Sequence, residues 1–246
     1  GENMDRSSLD LFGKQLDLVK TIWETGTPVI IVLVNGKPIS EPWLENNCPA
    51  IVEAWEPGNM GGQAVAEILF GEVNPSGKLP LTIARGVGQL RMIYNHKPST
   101  YFHKYADEKQ TPLYPFGFGL SYAKFIYGDP VLSIATLNSN QKISVSLEIS
   151  NTGEFDGEEI AQLYIRDNVS SVTRPVKELK GYQRVFLKAG ETKRIKFALN
   201  AESLAFYDIN MDYCVEPGIF TIMTGSSSAK ADLKTTTLTV NKKIEL

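Results

Sequence analysis

Leu113-Tyr114-Pro115-Phe116-Gly117-Phe118-Gly119-Leu120-Ser121-Tyr122 divides this chain into two parts with different patterns. Pro115 lacks a backbone donor, and Gly117 and Gly119 cost backbone entropy, so the stretch suits neither a helix nor a central strand. With aromatic side chains at positions 114, 116, 118 and 122, it reads as a buried hydrophobic turn pinned between two domains, without a direct role in chemistry.

Upstream of it, helix and strand patterns alternate. Residues 14–24 place Leu16, Val19, Ile22 and Trp23 on one helical stripe, which Gly26 ends. The run from Val29 to Val34 is apolar on both faces, the pattern of a strand buried in a parallel sheet. A short strand is expected at 50–55. A helix follows over 61–70, through Ala64, Val65, Ile68 and Leu69, with Gly71 as its cap. After the turn Asn74-Pro75-Ser76-Gly77, residues 79–83 make a third expected strand. This succession implies a layered α/β domain. So small a sheet leaves edges and apolar helix faces uncovered, so it reads as partial, with earlier strands upstream. Residues 85–109 form a polar, Tyr-rich connection. His96 and His103 lie there, seven apart and without clustered cysteines or acids, and read as structural rather than metal ligands.

Downstream, period two takes over. Ile143, Val145, Leu147 and Ile149 alternate with Ser144, Ser146 and Glu148, and Asn151-Thr152-Gly153 closes that strand. Further strands are expected at 160–165, 181–187, 195–199, 204–207, 218–224 and 233–240. About seven short strands without a helical stripe indicate an antiparallel sandwich of the immunoglobulin or fibronectin type III kind. Nothing in this half groups acids, histidines or nucleophiles into a site, so it reads as a stabilising or interaction module.

Composition sets the outer bounds. The chain has 246 residues, 42% hydrophobic and 22% charged, with a net charge of -3, which gives no electrostatic footprint for nucleic acid or an anionic membrane. The aliphatic run from Val29 to Val34 falls far short of the about 20 residues needed to span a bilayer, so no membrane insertion is expected. Cys48 and Cys214 fall in different expected domains and read as unpaired thiols.

Several segments, in order, carry a family likeness: Gly26-Thr27-Pro28 leading into Val32-Leu33-Val34-Asn35-Gly36-Lys37-Pro38; Ala54-Trp55-Glu56-Pro57-Gly58; Asn74-Pro75-Ser76-Gly77-Lys78-Leu79-Pro80; Tyr94-Asn95-His96-Lys97-Pro98; the stretch 113–122; and Val176-Lys177-Glu178-Leu179-Lys180-Gly181-Tyr182. Together they resemble the C-terminal part of family 3 glycoside hydrolases, of the β-glucosidase and β-xylosidase type. The resemblance implies a parent with an N-terminal (β/α)8 barrel, an α/β sandwich and a fibronectin type III-like domain. On this reading residues 1–90 are the C-terminal portion of the α/β sandwich, 91–126 the interdomain connection, and 127–246 the fibronectin type III-like domain. The fold class is then α/β plus all-β, a partial α/β sandwich followed by a β-sandwich. The chain departs from many relatives at Asn59-Met60, where a Gln-Glu pair is common, and at Lys104, where an Arg is common.

The chemistry implied is retaining hydrolysis by two carboxyl groups about 5–5.5 Å apart. The family's nucleophile is an Asp on the barrel, and no residue of this chain matches it. The general acid/base is a Glu in a Gly-Glu context ahead of an Arg and a short apolar stretch. Gly1-Glu2-Asn3-Met4-Asp5-Arg6, followed by residues 9–15, fits that context and carries the role to Glu2, with Asp5 as its competitor. The resemblance implies a β-linked oligosaccharide or glycoside substrate, the barrel of the same protein as partner, no cofactor or metal, and a periplasmic or secreted location. The alternative is a non-catalytic carbohydrate-binding or structural/interaction module; against sugar binding by the expected sandwich, Trp23, Trp43 and Trp55 all lie outside it.

Overall fold

A computed structural model describes residues 6–98 and 104–246. The chain forms an α/β unit and an all-β unit, each joined from separate segments. The first comprises the chain up to Val73 with Leu81–Met92 and Lys104–Tyr114; the second takes Asn74–Pro80, Ile93–His103 and Pro115–Leu246.

In the α/β unit, helix α1 (Gln15–Glu24) leads into strand β1 (Ile30–Val34), helix α2 (Pro42–Asn47), strand β2 (Ala50–Trp55) and helix α3 (Gly61–Leu69). β1 and β2 pair in parallel, Ile30 opposite Ala50 through Leu33 opposite Glu53. Among the described residues they are the whole sheet. Its core is correspondingly small: Ile31, Leu44 and Cys48 are buried, with Leu11, Leu16, Val19, Val29, Leu33, Trp43 and Ile51 packed around them. α1 buries no residue fully, and Trp23 meets Trp43 edge-on at 5.7 Å while donating from its indole to Asn47 O. Gly71 takes φ +79° just beyond α3, the left-handed conformation that glycine adopts without strain. α2 has no counterpart in the sequence reading, because six residues opening on Pro42 are too few to display a stripe.

The strand expected at 79–83 does not form. Pro80 removes a donor, and what remains is one antiparallel bridge between Ile83 and Tyr114, plus paired bonds between Leu79 and the Gly117 and Phe118 backbone. Arg85, 9% exposed, secures this part of the α/β unit. It donates to the carbonyls of Thr111 and Pro112, and its guanidinium meets Glu45 at 3.3 Å and Glu108 at 3.8 Å.

The all-β unit is a sandwich. One sheet orders β5 (Thr136–Leu137), β13 (Leu233–Val240), β12 (Gly218–Gly225), β7 (Gly157–Asp167) and β8 (Glu178–Leu187). The other centres on β6 (Ile143–Asn151), flanked by β9 (Thr192–Leu199) and by the short β3 (Phe125–Tyr127) and β4 (Val131–Leu132). A third, small sheet joins β10 (Phe206–Tyr207), β11 (Tyr213–Val215) and β14 (Ile244–Glu245). Pairing is antiparallel except between β13 and β5. The alternation on β6 buries Ile143, Val145, Leu147 and Ile149 against Leu163, Ile165, Phe197, Ile222 and Leu238. One helical turn, α4 (Ala201–Leu204), interrupts the β pattern, and the reciprocal capping pair Asn200 and Ser203 holds it.

Segments 74–80, 93–98 and 115–122 are integrated into this unit by buried polar contacts. Lys78 Nζ lies 3.2 Å from the Glu159 carboxylate, whose side chain is 2% exposed, and also donates to Gly119 O. Tyr127 OH donates to the same carboxylate at 2.8 Å, and burial beside that charge pushes its phenol far above the ordinary range, so it remains a donor. Gln162 donates to the carbonyls of Gly117 and Ser226 and accepts from Tyr164 OH. Phe116 stacks on Tyr94 at 4.3 Å. Gly117 sits at φ +78°, and a Cβ there would strike Gln162; one on Gly119 would strike Gly77 O. The aromatic stretch is thus only partly the buried turn expected, since Leu113 is buried while Leu120 and Tyr122 are exposed.

At the end of β7, burial pushes the Asp167 carboxyl up to about 6 against the pull of Arg174, with Glu216 adding repulsion, and its Oδ2 has no partner. A folded pKa above the unfolded value favours the protonated folded state. Asp167 therefore costs stability increasingly as pH rises from about 4 to about 6. Asp167→Asn should raise the denaturation midpoint at pH 7.5 and change it little at pH 4, measured by urea titration across pH. Glu159→Ala leaves the Lys78 ammonium buried without its counter-charge, a loss of about 3–5 kcal/mol. Glu159→Leu combined with Lys78→Met should recover much of it. Denaturant titration of the two variants measures this, and equal losses in the single and double variants would contradict the buried pair.

Candidate functional site

Open α/β sheets bind ligands beyond the carboxyl ends of their parallel strands, because loops and helix starts converge there. In this chain the carboxyl ends of β1 and β2 carry Asn35 and the pair Glu53 and Trp55. After Leu33 opposite Glu53 the ladder skips a residue, so that Val34 faces Trp55 and Ala54 is extra. Trp55 takes φ +50°, a conformation that a bulky side chain rarely adopts.

Hydrogen bonds fix this corner. Asn35 N donates to Trp55 O at 3.1 Å, and the Asn35 amide donates to Glu53 Oε1 at 3.1 Å. Trp55 N donates to Glu53 Oε1 at 3.2 Å. Glu53 is half-buried, and that burial pushes its carboxyl up, against the lowering effect of the Trp55 N–H and the Asn35 amide. Asn35 Oδ1 is buried without a partner. The corner also meets the N-terminal segment: Lys37 Nζ donates to Arg6 O at 3.4 Å, and Arg6 donates in turn to Asp10 O. Nearby, Glu41 is pushed up by burial and by the charge of Asp10.

Glu2, assigned as general acid/base from sequence, lies outside the described residues, as does its competitor Asp5. Arg6, where the described chain starts, is the member of that motif that the structure places, at the carboxyl end of β1 through Lys37. Of the two histidines, His103 is also outside the described residues. His96 lies in the all-β unit, where its carbonyl accepts from Val176 N. Cys48 and Cys214 are buried free thiols in separate units, and no cluster of metal-ligating side chains occurs among the described residues. No helix among them is long and apolar enough to cross a membrane.

Sequence reading missed Glu53, Asn35 and Trp55 as a group. Asn35-Gly36 reads as a turn and Trp55 as a strand end, while the bulge that joins them depends on the pairing of two strands. It also missed an exposed aromatic pair on the sandwich. Tyr207 and Tyr213 are cross-strand partners, their rings 5.1 Å apart and both solvent-exposed. The tip of their hairpin is fixed by Asp208, which accepts from Asn210 N, Asp212 N and Lys243 Nζ. Those hydrogen bonds hold the Asp208 carboxyl below its usual range, the Lys243 ammonium foremost among them.

Comparison with known proteins finds two domains along the chain. Residues 1–122 match the glycosyl hydrolase family 3 C-terminal domain, and residues 159–228 match the fibronectin type III-like domain. A β-xylosidase of Formosa agariphila is 46% identical over 98% of this chain. A periplasmic β-glucosidase of Salmonella typhimurium is 40% identical over 93% of it. Among solved structures, a β-glucosidase from Erythrobacter marinus superposes with a TM-score of 0.92 at 44% identity, covering 98% of this chain and 32% of its own. A β-glucosidase from Listeria innocua in complex with glucose gives 0.91 at 34% identity, again over 98% of this chain and 35% of its own. The chain spans about a third of its relatives, 34% of the xylosidase and 31% of the periplasmic glucosidase. It belongs to glycosyl hydrolase family 3, a family of enzymes, and carries the family's C-terminal domain followed by its fibronectin type III-like domain.

Proposed function

We propose that this chain is part of a retaining β-glycosidase that removes terminal non-reducing β-D-glucosyl or β-xylosyl residues. Glu2 supplies the general acid/base, and an Asp on an N-terminal barrel of the same protein supplies the nucleophile. The observation that carries this reading is the near end-to-end similarity to proteins named β-xylosidase and β-glucosidase, each about three times as long.

In such a reaction the barrel carboxylate attacks the anomeric carbon while the acid protonates the departing oxygen. Water then cleaves the glycosyl-enzyme with the same group acting as base. A carboxyl group in that role needs its pKa raised, by apolar surroundings or by the neighbouring nucleophile. This chain contributes the proton and one wall of the site, but neither nucleophile nor barrel. A second reading, a non-catalytic carbohydrate-binding module, draws support from the exposed Tyr207 and Tyr213 pair on the sandwich.

The 246-residue chain alone should turn over neither an aryl β-glucoside nor an aryl β-xyloside, since both covalent catalysis and substrate positioning are missing. In the full-length protein, Glu2→Ala should slow substrates with poor leaving groups far more than activated aryl glycosides, because only the former need the proton. Azide should rescue the activated substrates as a β-glycosyl azide. Wild-type rates on both classes in Glu2→Ala, with turnover abolished in Asp5→Ala, would assign the acid/base to Asp5 instead.

A further inference from the structure

The corner formed by Asn35, Glu53 and Trp55 holds more unsatisfied chemistry than a strand end requires. An ionised carboxylate only accepts hydrogen bonds, so Glu53 dictates that Asn35 presents its NH2 and turns Oδ1 away. That oxygen is buried and unpartnered, a costly state that the corner carries in order to hold the Glu53 carboxylate. The partners of Glu53 are an amide and a backbone N–H rather than a cation, which leaves acceptor capacity on a half-buried carboxylate. Beside them the chain holds Trp55, partly exposed, on a bulge at φ +50°. Conformations of this kind cost about 1–3 kcal/mol and concentrate at ligand sites. A partly exposed aromatic residue two positions from a carboxylate with spare acceptor capacity suits a pyranose, which has an apolar C–H face and a rim of hydroxyl donors.

We propose that Trp55, Glu53 and Asn35 form a sugar-contact site at the carboxyl end of the β1–β2 pair. The indole lies against the face of a pyranose ring, and the Glu53 carboxylate, held in place by the Asn35 amide, accepts hydrogen bonds from its hydroxyls. The inference rests on the glycosidase reading for which sugar this is. The group that protonates the departing oxygen is assigned to this same domain, so the ring met by Trp55 is the leaving-group sugar.

The test uses the full-length protein with Trp55→Gly, which removes the ring yet tolerates the left-handed backbone, and Glu53→Gln, which keeps the shape. Both should raise KM for cellobiose or xylobiose about tenfold or more, the factor carried by one hydrogen bond to a charged group, with smaller effects on kcat. KM for an aryl glycoside of the same glycone should stay unchanged. Unaltered disaccharide KM in the folded variants, or an equal rise for both substrates, overturns the site. Hydrogen exchange in the wild-type protein gives a result independent of variant folding. A thio-linked disaccharide that resists cleavage should protect the backbone over residues 50–58, and absence of protection at saturating ligand overturns the proposal. If the full-length protein hydrolyses no β-glycoside, the glycosidase reading fails, while the exchange result still decides whether sugar binds at Trp55.

Discussion

A carboxylate inside a β-sandwich has to be answered by a positive charge or a donor, and the way Glu159 is answered organises this chain. Its side chain projects from β7 into the protein, almost wholly shielded from solvent. The charge that meets it comes not from a neighbouring strand but from Lys78, eighty-one residues upstream in the Asn-Pro-Ser-Gly-Lys-Leu-Pro turn. Tyr127 fills another lone pair, and Gly119 lends its carbonyl to the same lysine. One buried group therefore binds the 74–80 segment, the aromatic stretch and two strands together. The glycines at 117 and 119 follow from the same closeness, since any side chain at either would collide with Gln162 or with the Gly77 carbonyl. The energetic logic is that of a buried ion pair, which adds little over a well-packed apolar core but penalises every arrangement in which one partner is missing. Here that penalty fixes a connection that has almost no regular secondary structure of its own.

The two units hold themselves together by different means. The sandwich has a continuous apolar core drawn from β5, β6, β7, β8, β9, β12 and β13, and its stability derives from that area removed from water. The α/β unit has one small apolar cluster, Ile31, Leu44 and Cys48, beside its parallel pair of strands, and relies on directed polar ties such as Arg85 with Glu45. Leu18, Ile22 and Trp23 on α1, and Ile30 and Val34 on β1, remain substantially exposed. Apolar faces of this kind are covered when a sheet is extended and its helices are packed on both sides. The contrast fits a chain that represents about a third of its relatives' length.

At the carboxyl ends of β1 and β2, polar satisfaction and backbone geometry pull in opposite directions. The Glu53 carboxylate draws in the Asn35 amide and the Trp55 N–H, and meeting both requires the extra residue at Ala54 and the left-handed backbone at Trp55. The buried oxygen of Asn35 is the remainder of that arrangement. In the sandwich the comparable burden falls on Asp167, which keeps an unpartnered oxygen where burial works against its charge.

The sequence by itself determined the elements whose apolar residues recur with a regular period or form an unbroken run. The alternation from Ile143 to Ile149, the apolar run before Asn35 and the stripe ending at Gly71 appear in the structure as β6, β1 and α3, because side-chain period is set by local backbone geometry. The family likeness was legible in short segments such as Asn74 to Pro80 and Glu178 to Tyr182. Tertiary structure decided what depends on partners distant in sequence. Residues 79–83 look like a strand until Pro80 and the lack of a continuous neighbour reduce them to a single bridge. The short strands β3 and β4 exist because the longer β6 pairs with them, and β10, β11 and β14 because they pair with one another. The corner of Asn35, Glu53 and Trp55 was hidden for the same reason. A carboxylate in a strand carries no local mark of the amide it will bind, and a bulge is a relation between two strands that neither encodes alone.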